Sequence, residues 1–172
     1  MRRLASFLFA LGLSLPAPAA SLAWGDGKPD LDEERQPWEE IQAGLPPAPK
    51  AEALRPFSVD AVPGNRYFID ENSLSVGVDG VIRYTVSIRS QAGAETVNYE
   101  GMRCATGERK IYAFGRPDGS WSPNRHARWE RFPKNLQTGY HRELFYGYFC
   151  ADGGGVPSIE RIRHWLKTGG YR

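Results

Sequence analysis

The chain has 172 residues, of which 22 are Lys or Arg and 20 are Asp or Glu, and its formal net charge at pH 7 is +2. Arg2 and Arg3 account for this excess, so residues 24–172 are neutral overall, whereas nucleic-acid-binding domains are typically strongly basic. The balance argues against nucleic acid as a partner, and the length after residue 23 indicates one domain with a single core rather than two.

The first 23 residues have the three parts of a secretory signal peptide. The pair Arg2-Arg3 precedes an apolar stretch over residues 4–15, and small residues end at Ala23. The apolar stretch is shorter than the roughly 20 residues that a membrane-spanning helix needs. We therefore expect cleavage near Ala23 and a periplasmic or secreted protein without a membrane span, with a retained anchor as the weaker alternative.

Charge is divided unequally between the two parts of the remaining chain. Residues 24–80 contain 12 acidic and five basic residues, whereas residues 81–172 contain eight acidic and 15 basic residues. Two explanations stay open. Either the acidic arm lies on the basic body, where tethering gives it a high effective concentration, or the body meets an anionic partner.

Residues 24–55 read as an extended, acidic, Pro-rich arm, and residues 56–172 as a globular domain. Trp38, Ile41 and Leu45 lie three and four residues apart, which is the spacing of one helical face. We expect a short helical turn here that presses these side chains onto the body. The sequence LPPAP that follows favours a stiff, extended connector.

The body opens with segments that have the alternating pattern of strands. Apolar residues occupy every second position from Ile82 to Ile88, which predicts one buried face and one face in water. The pair Asp79-Gly80 predicts a type I′ hairpin turn, in which both central residues have positive φ. Short polar connections favour antiparallel pairing, because parallel strands need longer crossovers. The predicted strands cover residues 66–70, 73–78, 81–90, 96–104 and 109–114.

The C-terminal part changes to a helical period. In TGYHRELFYGYFC, aromatic and aliphatic side chains fall on one half of a helical wheel, which predicts a helix that ends at Gly153 to Gly155. A second helix is predicted over IERIRHWLKT, with Ser158 as its N-cap and Gly169 as its stop.

Cys104 and Cys150 are the two cysteines of the chain. Exported proteins with an even number of cysteines usually pair them, so we expect a disulfide bond. Two buried free thiols are the alternative. A metal site is disfavoured, because neither cysteine has the close spacing to a histidine that zinc sites show.

Several segments in order resemble one protein family. They are YFIDENSLSVGVDGVIRYTV, NYEGMRC, KIYAFG with the following DGSW, and LFYGYFC, together with the earlier WEE and LPPAP. They are similar to the CNP-one-like family of exported bacterial proteins, and the similarity covers most of residues 38–150. The resemblance implies a small exported bacterial protein; it supplies no substrate, cofactor or catalytic residue to carry over.

No convergent catalytic set stands out in the sequence. His126, His141 and His164 fall in three different predicted elements, and none has the context of an activated nucleophile. His141 lies on the predicted buried side of its helix, which favours a hydrogen-bonded core residue. We expect no catalytic residue, no cofactor and no metal ligand.

The polar stretch NYEGMRC occupies a predicted central strand. Buried charges are costly unless they are paired, so Glu100 or Arg103 must meet an opposite charge or point into a recognition groove. Trp121 and Trp129, with nearby arginines, could add a surface that stacks on an anionic envelope polymer. The candidate binding residues are Tyr99, Glu100, Arg103, Trp121 and Trp129.

Together these patterns predict an α+β fold: an antiparallel meander of four or five strands, one or two C-terminal helices and an acidic N-terminal arm. The favoured function is a non-enzymatic binding or structural module of the cell envelope, with an envelope protein or an anionic polymer as its partner. One alternative is a small hydrolase that uses a carboxylate and a histidine. Another is an accessory or inhibitor subunit of an envelope complex.

Overall fold

An antiparallel sheet forms the centre of the computed structural model, which describes residues 37–42, 44–59, 63–132, 139–150 and 155–171. The predicted signal peptide and the arm before residue 37 lie outside the described residues. Within the described ranges the sheet has seven strands, in the order β1-β2-β3-β4-β5-β6, with β7 also paired to β5. The strands are β1 (Leu54–Phe57), β2 (Arg66–Val76), β3 (Val81–Arg89), β4 (Glu95–Arg103), β5 (Glu108–Gly115), β6 (Trp121–Pro123) and β7 (Glu130–Arg131).

The predicted antiparallel meander is confirmed, with differences in detail. The two segments predicted over 66–70 and 73–78 form one strand, β2, whose register shifts between Asp70 and Ser75. The strands β1, β6 and β7 raise the number of strands above the expected four or five. They have two to four residues each, which is too short for an alternating pattern to be detected.

The hairpin turn between β2 and β3 is not of type I′. Gly80 has a φ of +73°, but Asp79 has a negative φ, since every described residue with positive φ is a glycine. The Asp79 carboxylate instead accepts a hydrogen bond from the Val81 N–H at 3.2 Å, and the Gly80 N–H donates to the Gly77 carbonyl at 3.0 Å. The turn is therefore built around the aspartate side chain, with a single left-handed glycine at its end.

Both faces of β3 are buried. Ile82, Tyr84 and Val86 pack into the hydrophobic core on the face covered by the helices, as the alternation predicts. On the opposite face Arg83 and Thr85 are 2% and 0% exposed, so the prediction that this face lies in water is wrong. The first is here called the helix face and the second the arm face.

The arm face is covered by the arm segment, defined as residues 38–42 and 44–50. These residues have no regular secondary structure, so the helical turn predicted from Trp38, Ile41 and Leu45 is wrong. The Ile41 N–H donates to the Asp79 carboxylate at 3.1 Å, and its carbonyl accepts from Arg83 at 3.2 Å. A helix cannot form where the body takes up the same backbone groups.

The first helix, α1 (Gly139–Leu144), continues directly into a π-helical turn over Phe145–Phe149. The helical prediction is confirmed here, although the helical stretch ends before Cys150, and residues 151–154 lie outside the described ranges. In the wider turn the Cys150 N–H donates to the Phe145 carbonyl at 3.0 Å. Phe149 packs on Tyr84 with ring centroids 4.8 Å apart, which fixes the turn against the sheet.

The second helix, α2 (Ile159–Thr168), has the predicted ends. The Ser158 side chain accepts from the Arg161 N–H, and Gly169 closes the helix with a φ of +86°. Ile162 and Leu166 bury the apolar stripe. Within the described ranges no helix has the length and hydropathy needed to cross a bilayer.

A disulfide bond joins the end of β4 to the end of the π-helical turn. Cys104 and Cys150 lie 46 residues apart in sequence, with their Cα atoms 5.5 Å apart. Closing a loop of this length in the unfolded chain stabilises the fold by about 4 kcal/mol in the chain-entropy account. The bond thus holds the helical layer on the sheet.

Candidate functional site

A buried carboxylate lies at the centre of the helix face. Glu100 on β4 is 0% exposed. Its Oε1 accepts from the Tyr140 hydroxyl at 2.8 Å and from the Asn98 amide at 3.1 Å. Its Oε2 accepts from the Tyr84 hydroxyl at 3.0 Å and lies 2.9 Å from the His141 Nε2, where a ring N–H donates to it. We call these five residues the Glu100 network.

The network favours the charged form of the carboxylate. Burial raises the pKa of Glu100. Interaction with the His141 ring and hydrogen bonds from Tyr140 and Asn98 lower the pKa by a larger amount, so it lies below its ordinary value. Burial and the neighbouring Glu100 raise the pKa of Tyr84 and Tyr140 well above the usual value, so both remain hydroxyl donors.

The Glu100 network has the distance of an acid–base pair but not the access. A carboxylate within hydrogen-bond reach of a histidine is what general acid–base catalysis requires. His141 is only 1% exposed, however, and Glu100 is 0% exposed. Both carboxylate oxygens already accept from the chain's own donors, so this arrangement stabilises the fold rather than exposing a reactive group.

A second carboxylate is held on the arm face. Glu40 of the arm segment accepts from the Lys110 ammonium at 2.8 Å, from the Tyr112 hydroxyl at 2.6 Å and from the Trp129 indole N–H at 3.0 Å. The Arg83 guanidinium lies 3.6 Å away. Burial raises the pKa of Glu40, but these donors outweigh it, so the pKa is lower than usual and the carboxylate stays charged.

The arm segment is also held through its tryptophan. The Arg103 guanidinium lies 3.6 Å from the centroid of the Trp38 ring, and Trp129 meets the same ring edge to face at 5.8 Å. The Trp38 indole N–H donates to the Asp79 carbonyl at 2.8 Å. Indole and carboxylate are thus recognised by separate groups of the body.

Asp79 and Arg83 form a buried ion pair beneath the arm segment. Their closest atoms are 2.6 Å apart, and the two side chains are 1% and 2% exposed. Burial raises the pKa of Asp79, yet hydrogen bonds from Arg83 and from the backbone N–H groups of Ile41 and Val81 hold it below its ordinary value. The Asp79 carboxylate therefore accepts hydrogen bonds from both the hairpin turn and the arm segment.

A cleft of about 470 Å³ lies at the other end of the arm face. The proline-rich part of the arm segment forms one wall, and the ends of β3, β4 and β5 form the other. Trp121 is fixed in the wall by its indole N–H, which donates to the Pro46 carbonyl at 2.6 Å. Its lining includes apolar, aromatic and charged side chains, namely Pro49, Leu54, Arg89, Glu95, Val97, Arg116 and Trp121.

Comparison with known sequences decides the family. Residues 33–167 match the sequence profile of the CNP1-like family. The chain belongs to the CNP1-like family. It is 30% identical over 155 residues to cryptic neisserial protein 1 of Neisseria gonorrhoeae, an alignment that covers 78% of this chain and 74% of that protein. No solved structure matches this chain.

In this CNP1-like chain the predicted binding residues lie on both sides of the sheet. Glu100 faces the helices. Tyr99, Arg103, Trp121 and Trp129 lie on the arm face, where Tyr99 contacts Trp121 with ring centroids 6.2 Å apart. Of these only Trp121 lines the large cleft, while Arg103 and Trp129 hold the arm segment.

The sequence interpretation missed Glu40 of the arm segment and four of the residues that hold the segment: Asp79, Arg83, Lys110 and Tyr112. A signal for them is present in the unequal charge of the two halves, because Glu40 belongs to the acidic part and Lys110 to the basic part. Of the remaining candidates, His126 and His164 are exposed. Among the described residues no three His, Cys, Asp or Glu side chains are placed to hold a metal ion.

The Asp79–Arg83 pair gives a test of this account. Asp79→Asn should lower the free energy of unfolding by about 3 kcal/mol at neutral pH, because a buried charge that loses its partner costs roughly 3–5 kcal/mol. The folded-state pKa is depressed, so the contribution of Asp79 is present above the unfolded pKa of about 3.9 and is lost as the pH falls through the folded value. Urea unfolding from neutral to acidic pH measures both effects.

Asp118→Asn is the matched control. Asp118 also precedes the glycine of a β-turn and accepts from the Ser120 N–H at 2.9 Å, but its side chain is exposed and is not in an ion pair with any described residue. A much smaller loss is expected. Equal losses for the two variants would show that the Asp79–Arg83 pair adds nothing beyond ordinary turn chemistry.

Proposed function

We propose that this CNP1-like chain is a non-catalytic binding module of the cell envelope, which takes an anionic ligand in the cleft between the arm segment and the ends of β3–β5. The observation that carries the proposal is the cleft itself, which combines the Trp121 indole, apolar side chains and the cation Arg116 in a volume of about 470 Å³. Ligand sites in proteins are commonly concave and largely apolar, with a few polar groups that fix orientation.

The charges around the cleft favour an anion. Arg89 is neutralised by Glu95, whose carboxylate lies 3.0 Å away, and its guanidinium stacks 4.9 Å from the centroid of the Phe68 ring. Arg116 is exposed and donates to the Ser122 hydroxyl at 3.4 Å, and among the described residues no carboxylate lies within ion-pair distance of it. A guanidinium beside an indole is suited to a saccharide or peptide that carries a carboxylate.

The Glu100 network supports a non-catalytic role. In a hydrolase the carboxylate–histidine pair would face the substrate. Here the pair lies on the helix face, while the cleft opens on the arm face. A ligand in the cleft is therefore separated from this pair by the sheet, and binding without chemistry is the simpler use of the molecule.

Export is part of the proposal. The leader sequence over residues 1–23 and the Cys104–Cys150 disulfide both suit an oxidising compartment outside the cytoplasm. A structural disulfide between the sheet and the helices forms readily there and would be reduced in the cytoplasm.

Cell fractionation followed by mass spectrometry tests the location. The protein should be recovered from the periplasm or the medium with Trp24 as its first residue and with both thiols unreactive toward an alkylating agent. Recovery of a cytoplasmic chain that begins at Met1 and carries two alkylated cysteines contradicts export.

Ligand binding can be tested with oligomeric alginate, a soluble polymer of uronic acids, at low salt. Arg116→Gln should weaken binding about tenfold, because a hydrogen bond to a charged group contributes about 1.5–3 kcal/mol. Isothermal titration calorimetry gives the affinities, and the indole N–H resonance of Trp121 reports whether the cleft is occupied.

Two controls make this experiment decisive. Arg125→Gln removes a cation that is equally exposed but does not line the cleft, so it should leave the affinity within about twofold. Maltohexaose, a neutral saccharide, should not bind. No binding of alginate, or equal losses for the two arginine variants, rules out an anionic ligand in this cleft.

A further inference from the structure

The arm face carries a second group of converging side chains, at the opposite end of the arm segment from the cleft. Side chains from β3, β5 and the segment before β7 converge on a single carboxylate, that of Glu40. Cations and neutral donors from separate elements that meet at one carboxylate are the arrangement of an anion-binding site. In this chain the site is filled by the chain's own arm segment.

The same site also recognises a peptide backbone and an aromatic side chain. Asp79 accepts from the Ile41 N–H, and Arg83 donates to the Ile41 carbonyl, so both backbone groups of this residue are hydrogen-bonded to the body. Arg103 and Trp129 hold the indole of Trp38. Together these contacts recognise the aromatic ring of Trp38, the carboxylate of Glu40 two residues later, and the backbone of the next residue, Ile41.

The arm segment sits in this site in the manner of a bound peptide. Trp38 and Ile41 remain 40% and 41% exposed, while the side chains of Asp79 and Arg83 beneath them are 1% and 2% exposed. A depression of about 260 Å³, lined by Ile41 and Lys110 among others, remains beside the segment. The side chains of the body that form the site are therefore more deeply buried than the side chains of the segment that occupies it.

The charged groups beneath the arm segment also have partners within the body. Arg83 donates two hydrogen bonds to Asp79, and Arg103 forms an ion pair with Glu108 at 3.1 Å. Lys110 and Tyr112 are already partly exposed and can be hydrated. Release of the arm segment therefore leaves no buried charge without a partner, which is the main cost that would otherwise oppose exchange.

We propose that this face is a peptide-binding site for an extended segment of a partner protein that carries an aromatic residue two positions before a carboxylate, and that residues 38–41 are a tethered occupant which such a segment replaces. The tether gives the arm segment a high effective concentration, in the millimolar range for short flexible links, so an incoming segment competes against it. Weakening the arm segment opens the site.

The test uses the full mature chain with Trp38→Ala and Glu40→Gln, here called the open variant. Its probe is a fluorescein-labelled peptide with the sequence of residues 37–45, PWEEIQAGL. Fluorescence anisotropy should show binding to the open variant at least tenfold tighter than to the wild-type chain, whose site is occupied. Lys110→Ala in the open variant should weaken peptide binding at least tenfold, because it removes a direct ligand of the carboxylate.

Matched peptides distinguish recognition from general charge attraction. The peptide with the equivalent of Glu40→Gln should lose binding at least tenfold, whereas the equivalent of Glu39→Gln should bind as the parent does, because Glu39 is exposed in the chain. Equal binding of these two peptides, or no binding to an open variant that unfolds cooperatively, overturns the proposal.

Two further results also decide the proposal: failure of the open variant to fold, and dimer formation by the wild-type chain. If the open variant does not fold, the wild-type chain is titrated with millimolar peptide, and the proposal requires shifts of the Trp38 and Trp129 indole N–H resonances with the parent peptide but not with the Glu40→Gln peptide. If the wild-type chain instead forms a dimer that Glu40→Gln abolishes, the occupant is a second copy and the proposed partner segment is wrong.

Discussion

The fold depends on one charge that has no contact with water. Glu100 lies in the middle of β4, and a carboxylate in that position costs several kcal/mol unless its oxygens are hydrogen-bonded. Two of its donors, Tyr140 and His141, are in α1. The helical layer must therefore dock where these two side chains meet the strand, and the Cys104–Cys150 bond closes the same contact from the end of β4.

The opposite face of the sheet is covered by different means. The arm segment crosses this face, held by Glu40 at one end and by Pro46 at the other. Hydrophobic contacts and the Glu100 network stabilise the helix face, whereas ion pairs, indole contacts and backbone hydrogen bonds hold the arm face. This division separates the part of the molecule that maintains the fold from the part that offers sites for recognition.

Local patterns in the sequence predict the fold better than they predict the sites. The strand β3 and the Ser158 and Gly169 caps of α2 depend on neighbours in sequence, and they are present as expected. The burial of Arg83 and Thr85 on the arm face of β3 was not expected, because it depends on the distant arm segment. The spacing of Trp38 and Ile41 also predicts a helix, but Asp79 binds the Ile41 backbone from 38 residues away. A buried Glu100 implies a partner, yet the residues around Glu100 give no indication that the partner is His141, 41 residues later in the chain.

A double-mutant cycle between Glu100→Gln and Tyr140→Phe tests most directly whether the buried carboxylate ties β4 to α1. Free energies of unfolding are measured by urea denaturation for the wild-type chain, both single variants and the double variant. The account predicts a coupling energy of at least about 1.5 kcal/mol, the size expected for a hydrogen bond to a charged group. Additive effects, within about 0.5 kcal/mol, would contradict it.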